Sequence, residues 1–387
     1  MTVKLGVIAL AGPDNGGTYQ YTLSTLQALR HTSFDITVYG DPENPDFAAS
    51  GFPIVRFAES RTQQLGALAA HRLRIRLPDP FAAEDVLLAP IYAFTLLHTS
   101  KPFVFTLHDL QERYYPDHFV WWQLAARNQI YRGLLGRASR VICESRHVQS
   151  DIVRFFGTPE ERTTVLPAPP QPQFLSALSA ERLAAARTRL RLPDEFLFYP
   201  AQFWVHKNHL RLIEAFSGVS RELPDLHLVL TGKQRDDYAA VMEAIGRFYL
   251  GKRVLHLGYI EQQDLQAVYQ LASALVMPSL FESVSIPIYE AFWMGTPVVA
   301  SNILGVPEQV GDAGVLFDPT SVPSIRDAIL KTLRDGEGTR KRAQRGREKM
   351  LSMTPERYGD QLQRLLGELA PGRTAGQNAS GISGKPS

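Results

Sequence analysis

Residues 277–300 read Met277-Pro-Ser-Leu-Phe-Glu-Ser-Val-Ser-Ile-Pro-Ile-Tyr-Glu-Ala-Phe-Trp-Met-Gly-Thr-Pro-Val-Val-Ala300. The apolar run ending at Met277 predicts a buried strand, and the small residues after it predict a loop. A helix should begin near Ile286, with Pro287 in its first turn, where a missing N–H costs nothing. Gly295 should end that helix, and Thr296-Pro297 leads into the next strand. A strand feeding a helix that returns to a strand is the unit of a parallel α/β sheet. Open sheets of this kind bind ligands beyond the carboxyl ends of their strands. The free N–H groups and dipole of a helix start suit phosphate oxygens. Glu282 falls in the loop and Glu290 about one turn into the helix. Carboxylates accept hydrogen bonds from vicinal hydroxyls, so one can hold a sugar and the other a ribose.

The same alternation runs outward in both directions. Strands are expected at 3–9, 34–39, 54–57, 85–89, 103–107, 140–143 and 163–166 in the first half. In the second half they are expected at 196–199, 227–231, 254–257, 274–277, 298–301 and 315–317. Most are apolar throughout, as strands covered on both faces must be. Helices are expected over 18–30, 180–190, 208–219 and 354–369, the last an amphipathic one with Tyr358, Leu362, Leu365 and Leu366 on one side. The tract Pro167-Ala-Pro-Pro-Gln-Pro172 can continue neither a helix nor a central strand. The expected organisation is therefore a first Rossmann-like domain over 1–172, with the helix 354–369 packing back on it. A linker helix over 173–192 leads to a second domain over 193–353, and a polar tail over 371–387 has nothing to bury.

At 387 residues the chain is long enough for two such cores. Hydrophobic residues are 44% and charged residues 21%, the balance of a globular protein. A net charge of +2 gives no electrostatic case for nucleic acid. Cys143 is the only cysteine, which excludes disulfides and a cysteine metal site and fits a reducing cytoplasm. No apolar run reaches the roughly 18 residues of a membrane span. The run Leu5–Ala11 is too short for a signal peptide and is followed by Gly12-Pro-Asp-Asn-Gly-Gly17, so it is expected as the first strand.

The segment 277–300 resembles the retaining glycosyltransferases of family 4, whose GT-B architecture sets two Rossmann-like domains with parallel sheets across a central cleft. Glu282 and Glu290 match the Glu-x7-Glu signature of that family, and Ser301-Asn302 and Pro307–Gly314 follow its pattern. Where the family commonly has Gly-Phe-Gly, this chain has Ser283, Val284 and Ser285, still small enough at 283 and 285 for a backbone to approach phosphate. A second match is Tyr199-Pro-Ala-Gln-Phe-Trp-Val-His-Lys-Asn-His209. The resemblance implies that Lys207 contacts the donor pyrophosphate. A lysine at a helix start opposes the dipole, which also argues for a function. Family members often carry an arginine where this chain has Gln202. Lys233 or Arg235, after the next strand, could supply that charge, although a solvated surface role is equally open for both.

In the first half, the resemblance implies that Gly16 and Gly17 lie near the donor phosphate and acceptor and that His108 meets the donor sugar. Taken together, it implies transfer of a glycosyl group from a GDP- or UDP-linked sugar to an acceptor hydroxyl with retention. His108, Lys207 and Glu282 would act at the reaction. Gly16, Gly17, Gln202, Lys207, the 283–286 loop (Ser283, Val284, Ser285, Ile286) and Glu290 would hold the donor. No cofactor or metal is expected, since lysine and a helix N-terminus replace one. The acceptor is expected to be a saccharide or lipid-linked saccharide, as in bacterial polysaccharide or glycolipid synthesis. The segments His71-Arg-Leu-Arg-Ile-Arg76 and Phe119-Val-Trp-Trp122, with Arg127, Arg132 and Arg137, suit either peripheral contact with the inner membrane surface or helix faces with snorkelling arginines. Two other functions remain open at this stage: a sugar-nucleotide epimerase, and a non-catalytic nucleotide-sugar-binding partner subunit.

Overall fold

The computed structural model describes residues 2–170, 174 and 176–370. The end of the proline tract at 171–172 and the tail at 371–387 lie outside the described residues. Among the described residues the chain forms thirteen strands. The first seven are β1 (Lys4–Ile8), β2 (Asp35–Gly40), β3 (Ile54–Arg56), β4 (Val86–Ala89), β5 (Phe103–Leu107), β6 (Arg140–Cys143) and β7 (Thr163–Val165). The other six are β8 (Phe196–Pro200), β9 (His227–Thr231), β10 (Val254–His256), β11 (Ala274–Met277), β12 (Val298–Ser301) and β13 (Gly314–Phe317). Each expected strand is present, with ends shifted by no more than one residue.

The strands make two sheets, ordered β3-β2-β1-β4-β5-β6-β7 and β10-β9-β8-β11-β12-β13. Every pairing is parallel. Both orders reverse direction once, between β1 and β4 in the first sheet and between β8 and β11 in the second. Such a switch point opens a crevice at the carboxyl edge, because the loops on either side lead to helices on opposite faces.

The described residues group into two compact units, one of 2–143, 149–168 and 355–370, the other of 144–148 and 169–354. In the first unit, strand residues such as Val7, Val38, Leu88 and Val104 are wholly or almost wholly buried. The helix Pro355–Gly367 belongs to the same core, where it packs Tyr358, Leu362 and Leu366 against the helix Gly17–Leu29. The Tyr358 and Tyr21 hydroxyls meet at 2.8 Å, and Tyr21 also meets the Thr106 hydroxyl at 3.0 Å. A polar bridge thus ties the last helix through the first helix to β5.

The second core gathers Leu197, Phe198, Leu230, Val276, Ile288, Phe292 and Ile329. The helix Ala180–Leu190, expected as a linker, packs on the helix Gln262–Leu271 of the second unit. Ser179 caps its start by accepting from the Arg182 N–H, and Arg189 pairs with Asp264. No helix among the described residues is long and apolar enough to cross a membrane.

Candidate active site

The site is built where β8 and β11 run side by side and then part. After β8 the chain makes a short 3-10 turn, Val205–Lys207, and Asn208 turns left-handed at φ 60° before the helix His209–Glu222. Asparagine tolerates that conformation better than most residues. Its side-chain amide then donates to the carbonyls of Pro278 at 2.8 Å and Pro319 at 2.9 Å. The two loops are laced further. The Leu280 N–H donates to the His206 carbonyl at 2.7 Å, and the Tyr199 hydroxyl donates to the Lys207 carbonyl at 2.7 Å. With both main chains pinned, the Lys207 ammonium reaches the Glu282 carboxylate at 2.5 Å. This ion pair spans the switch point of the second sheet, with the lysine side chain 21% and the glutamate 11% exposed. A largely desolvated pair at the carboxyl edge offers a cation and an acceptor to a ligand that is both anionic and rich in hydroxyls.

Next to Lys207, His209 is a packing residue. Its ring lies flat on Phe203 at 4.4 Å between centroids, and burial pushes its pKa down to about 3, so it stays neutral.

The helix Ile286–Met294 starts and stops where the sequence indicates, with Pro287 in its first turn and Gly295 as its left-handed cap. The loop before it departs from expectation. The amide of Ser285, one of those assigned to phosphate, already donates to the Gln309 side chain at 2.9 Å. Gln309 in turn donates to the Ser285 carbonyl at 2.6 Å. That pair of hydrogen bonds makes Ser285 a fixed strut, and the residue is only 2% exposed. The amides of Ser283, Val284 and Ile286 have no such partner among the described residues, so any phosphate cradle here is theirs.

Glu290 lies deeper than a solvent-facing ribose ligand would. It is 3% exposed and accepts the Tyr269 hydroxyl at 2.7 Å. The Tyr269 ring is itself wedged edge-on against Phe198 and Phe174, at 5.0 and 5.9 Å. Burial pushes the Glu290 carboxyl up to about 7, although the tyrosine hydrogen bond opposes that rise. Tyr269 and Gln309 hold candidate site residues through contacts that the motifs did not reveal. Gln309 lies inside the quoted run 307–314, but its contact with Ser285 depends on a loop path that sequence does not show.

Gln202 and Arg235 meet. The Arg235 Nε donates to the Gln202 Oε1 at 2.8 Å, and the guanidinium lies over the Trp204 ring at 5.0 Å. Lys233 turns toward the Tyr259 ring instead, at 5.9 Å.

In the first unit, Gly16 takes φ 56° and ψ −118°, a backbone state open essentially to glycine, and Gly17 begins the helix Gly17–Leu29. His108 follows β5. Its Nε2 donates to the Pro90 carbonyl, beyond the end of β4, at 2.8 Å, and its ring stands edge-on to Tyr21 at 4.7 Å. The basic and aromatic segments divide. Arg127 stacks on Phe119 and pairs with buried Glu112 at 3.4 Å, and Arg137 donates to the Thr99 carbonyl at 2.6 Å. Trp121 and Trp122 stay 79% and 57% exposed.

The profile of Glycosyl transferases group 1 matches residues 183–349, and that of Glycosyltransferase Family 4 matches residues 15–169. The O-antigen chain mannosyltransferase B of Escherichia coli is 27% identical over 62% of this chain and 64% of its own length. The serotype-specific mannosyltransferase WbdA of the same species is 28% identical over 51% of this chain but only 25% of its own length. The chain thus matches less than two thirds of either protein. The O-antigen chain mannosyltransferase RfbU of Salmonella typhimurium is 24% identical over 82% of this chain and 87% of its own. Among solved structures, HepE of Anabaena in complex with UDP superposes with a TM-score of 0.76 at 20% identity, covering 95% of this chain and 100% of that one. With one profile on each half and the fold matched nearly from end to end, the chain belongs to the family 4 glycosyltransferases and has the GT-B fold.

Proposed function

We propose that this chain moves a hexosyl group, mannose in the first instance, from a GDP- or UDP-linked donor to the hydroxyl of a saccharide or lipid-linked saccharide. The transfer proceeds with retention and without a metal ion, at the cytoplasmic side of O-antigen- or exopolysaccharide-type synthesis. The observation that carries this reading is the Lys207–Glu282 pair across the β8–β11 switch point. The names of the O-antigen mannosyltransferases among the relatives support the sugar and the pathway class.

In the proposed reaction, the bond from the anomeric carbon to the leaving phosphate oxygen breaks as the bond to the acceptor oxygen forms on the same face. The acceptor's proton passes to the leaving phosphate. Breaking the bond leaves negative charge on that phosphate until the proton arrives, and Lys207 with the amides of Ser283, Val284 and Ile286 would stabilise it. Glu282 would orient the sugar hydroxyls and Glu290 the ribose, with Tyr269 holding the Glu290 carboxylate in place. For Lys207 to serve the phosphate, the donor must draw it from Glu282, whose freed acceptor lone pairs then go to the sugar. His108, Gly16 and Gly17 are assigned to the sugar and phosphate on the resemblance alone.

The test is direct. The full-length protein is incubated with GDP- and UDP-linked sugars and saccharide acceptors, and products are followed by mass and by the anomeric coupling of the new linkage. Transfer with the donor's own anomeric configuration is expected. Isomerised donor without transfer would identify an epimerase, and tight donor binding with neither reaction would identify a binding subunit.

A further inference from the structure

We propose that Arg235 is a second phosphate-binding cation of the donor site and that Gln202 is the residue that positions it. The inference rests on reading the carboxyl edge of the second sheet as the site of a nucleoside diphosphate. It begins with how two loops are held. β8 and β9 are parallel neighbours, with Pro200 opposite Thr231. Their pairing continues past the sheet, since the Phe203 N–H donates to the Lys233 carbonyl at 3.2 Å and the Asp237 N–H to the Phe203 carbonyl at 3.0 Å. At the crossing stands Gly232, with φ 130°. A Cβ there would lie 2.4 Å from the Ala201 carbonyl oxygen, so only glycine lets the loops come this close. The result is a fixed juxtaposition, with Arg235 delivered to Gln202 and Trp204.

The chemistry of that contact matters more than its existence. Lys207 has its charge matched by a carboxylate. Among the described residues Arg235 pairs with no carboxylate. Its Nε is held by a neutral amide oxygen and its face rests on an indole. A neutral acceptor orients a guanidinium without cancelling its charge. With Nε occupied, the two terminal nitrogens remain as the fork that binds phosphate oxygens in a bidentate way. Stacking on Trp204 removes much of the rotamer freedom that an arginine would otherwise lose on binding. The position next to β8 is neutral at Gln202, and the charge that phosphate needs arrives one loop away.

Calorimetric titration of the full-length protein with GDP, UDP, guanosine and uridine tests this. Arg235→Ala should weaken whichever nucleoside diphosphate binds by about tenfold or more, the scale of one charged hydrogen-bonding partner. The matching nucleoside, which has no phosphate, should bind unchanged. Gln202→Glu should weaken the diphosphate to a similar extent by neutralising the guanidinium. Gln202→Leu should raise the KM for donor with little change in kcat. The double variant Arg235→Ala/Gln202→Arg should regain most of the lost affinity. An Arg235→Ala protein with unchanged melting temperature and diphosphate affinity within about twofold of wild type would overturn the inference and leave the donor site standing. Wild-type protein that binds neither diphosphate would overturn both.

Discussion

The carboxyl edges of the two sheets are built from the same topology, and the residues assigned to a site at each edge are held differently. At the first edge, His108 and a chain of hydroxyls are bonded within their own unit. His108 gives its Nε2 hydrogen to Pro90, and the hydroxyls of Tyr21, Thr106 and Tyr358 satisfy one another. At the second edge the groups are ionisable, at strand-end loops for Lys207, Glu282 and Arg235 and within a helix for Glu290. Lys207 pairs with Glu282, Arg235 rests on a neutral amide, and Glu290 carries a carboxyl that burial holds near 7. Neutral groups bonded to their own unit hold a shape at little electrostatic cost. Ionisable groups gathered at one edge cost desolvation, which makes them candidates for a ligand site. The proposed function puts donor recognition at the second edge and positioning at the first.

Removing Lys207 should break the second edge most severely. Lys207→Ala should lower turnover at saturating donor by at least about 100-fold, the scale for loss of one transition-state donor. Normal turnover in that variant, measured by release of nucleoside diphosphate, would reduce the lysine to a structural partner of Glu282. The variant should stay folded, because Asn208 and Tyr199 hold the loop through main-chain contacts that do not involve the ammonium.

Glu290 gives the next largest effect. Glu290→Ala should cost about 1.5–3 kcal/mol of nucleoside diphosphate affinity if the carboxylate holds ribose hydroxyls. Its raised pKa adds a sign. Between the ordinary carboxyl value and about 7, the folded protein binds this proton and the unfolded chain does not, so folding stability falls as pH rises through that window and levels above it. The total is on the order of 3 kcal/mol. Nucleotide binding runs the other way, since hydroxyl donors favour the ionised acid and affinity should rise with pH through about 7. Glu290→Gln should flatten both profiles, read by thermal melts and titrations from pH 5 to about 8.5. Unaltered profiles in that variant would place the titrating group elsewhere.

At the first edge, His108→Ala separates positioning from binding. Nucleoside diphosphate affinity should stay within about twofold of wild type, while transfer falls by roughly ten- to a hundredfold, the low end for a polar group acting at the reacting centre. Equal losses in both would show that the two edges do not divide the work.

These contrasts also explain what the sequence discloses. All thirteen strands are legible, because strands covered on both faces must be apolar throughout and the residues between them break the pattern. Lys207 and Glu282 are singled out by the resemblance, and the structure brings their side chains together. The depth of Glu290 is not legible. Its neighbours Ile288, Tyr289, Ala291 and Phe292 are all buried, so the helix has no polar face from which its direction could be read. Nor is the choice of Arg235 over Lys233, which depends on how the β8 and β9 loops lace together beyond the sheet. The commitment of the Ser285 amide to Gln309 is hidden for the same reason, since long-range loop contacts leave no periodic trace.

The smallest expected effect probes how the first edge is held. The Tyr358 hydroxyl reaches Tyr21, which in turn reaches Thr106 on β5, two residues before His108. Tyr358→Phe removes one hydroxyl from a buried chain and leaves the ring in its place against the first helix. Net loss of such a hydrogen bond is worth about 1 kcal/mol, because the unfolded state recovers its bonds in water. Tyr21 keeps Thr106 as a partner, so the remaining hydroxyl is not stranded, and the cost should not exceed that figure. Nucleoside diphosphate affinity should be unchanged, since no donor-binding charge is touched. A chemical-denaturation midpoint shifted to match about 1 kcal/mol at constant slope would confirm a local loss. A change in slope, or a nucleotide affinity that falls with the hydroxyl, would mean that the terminal helix does more than brace β5, and the division between a positioning edge and a binding edge would have to be redrawn.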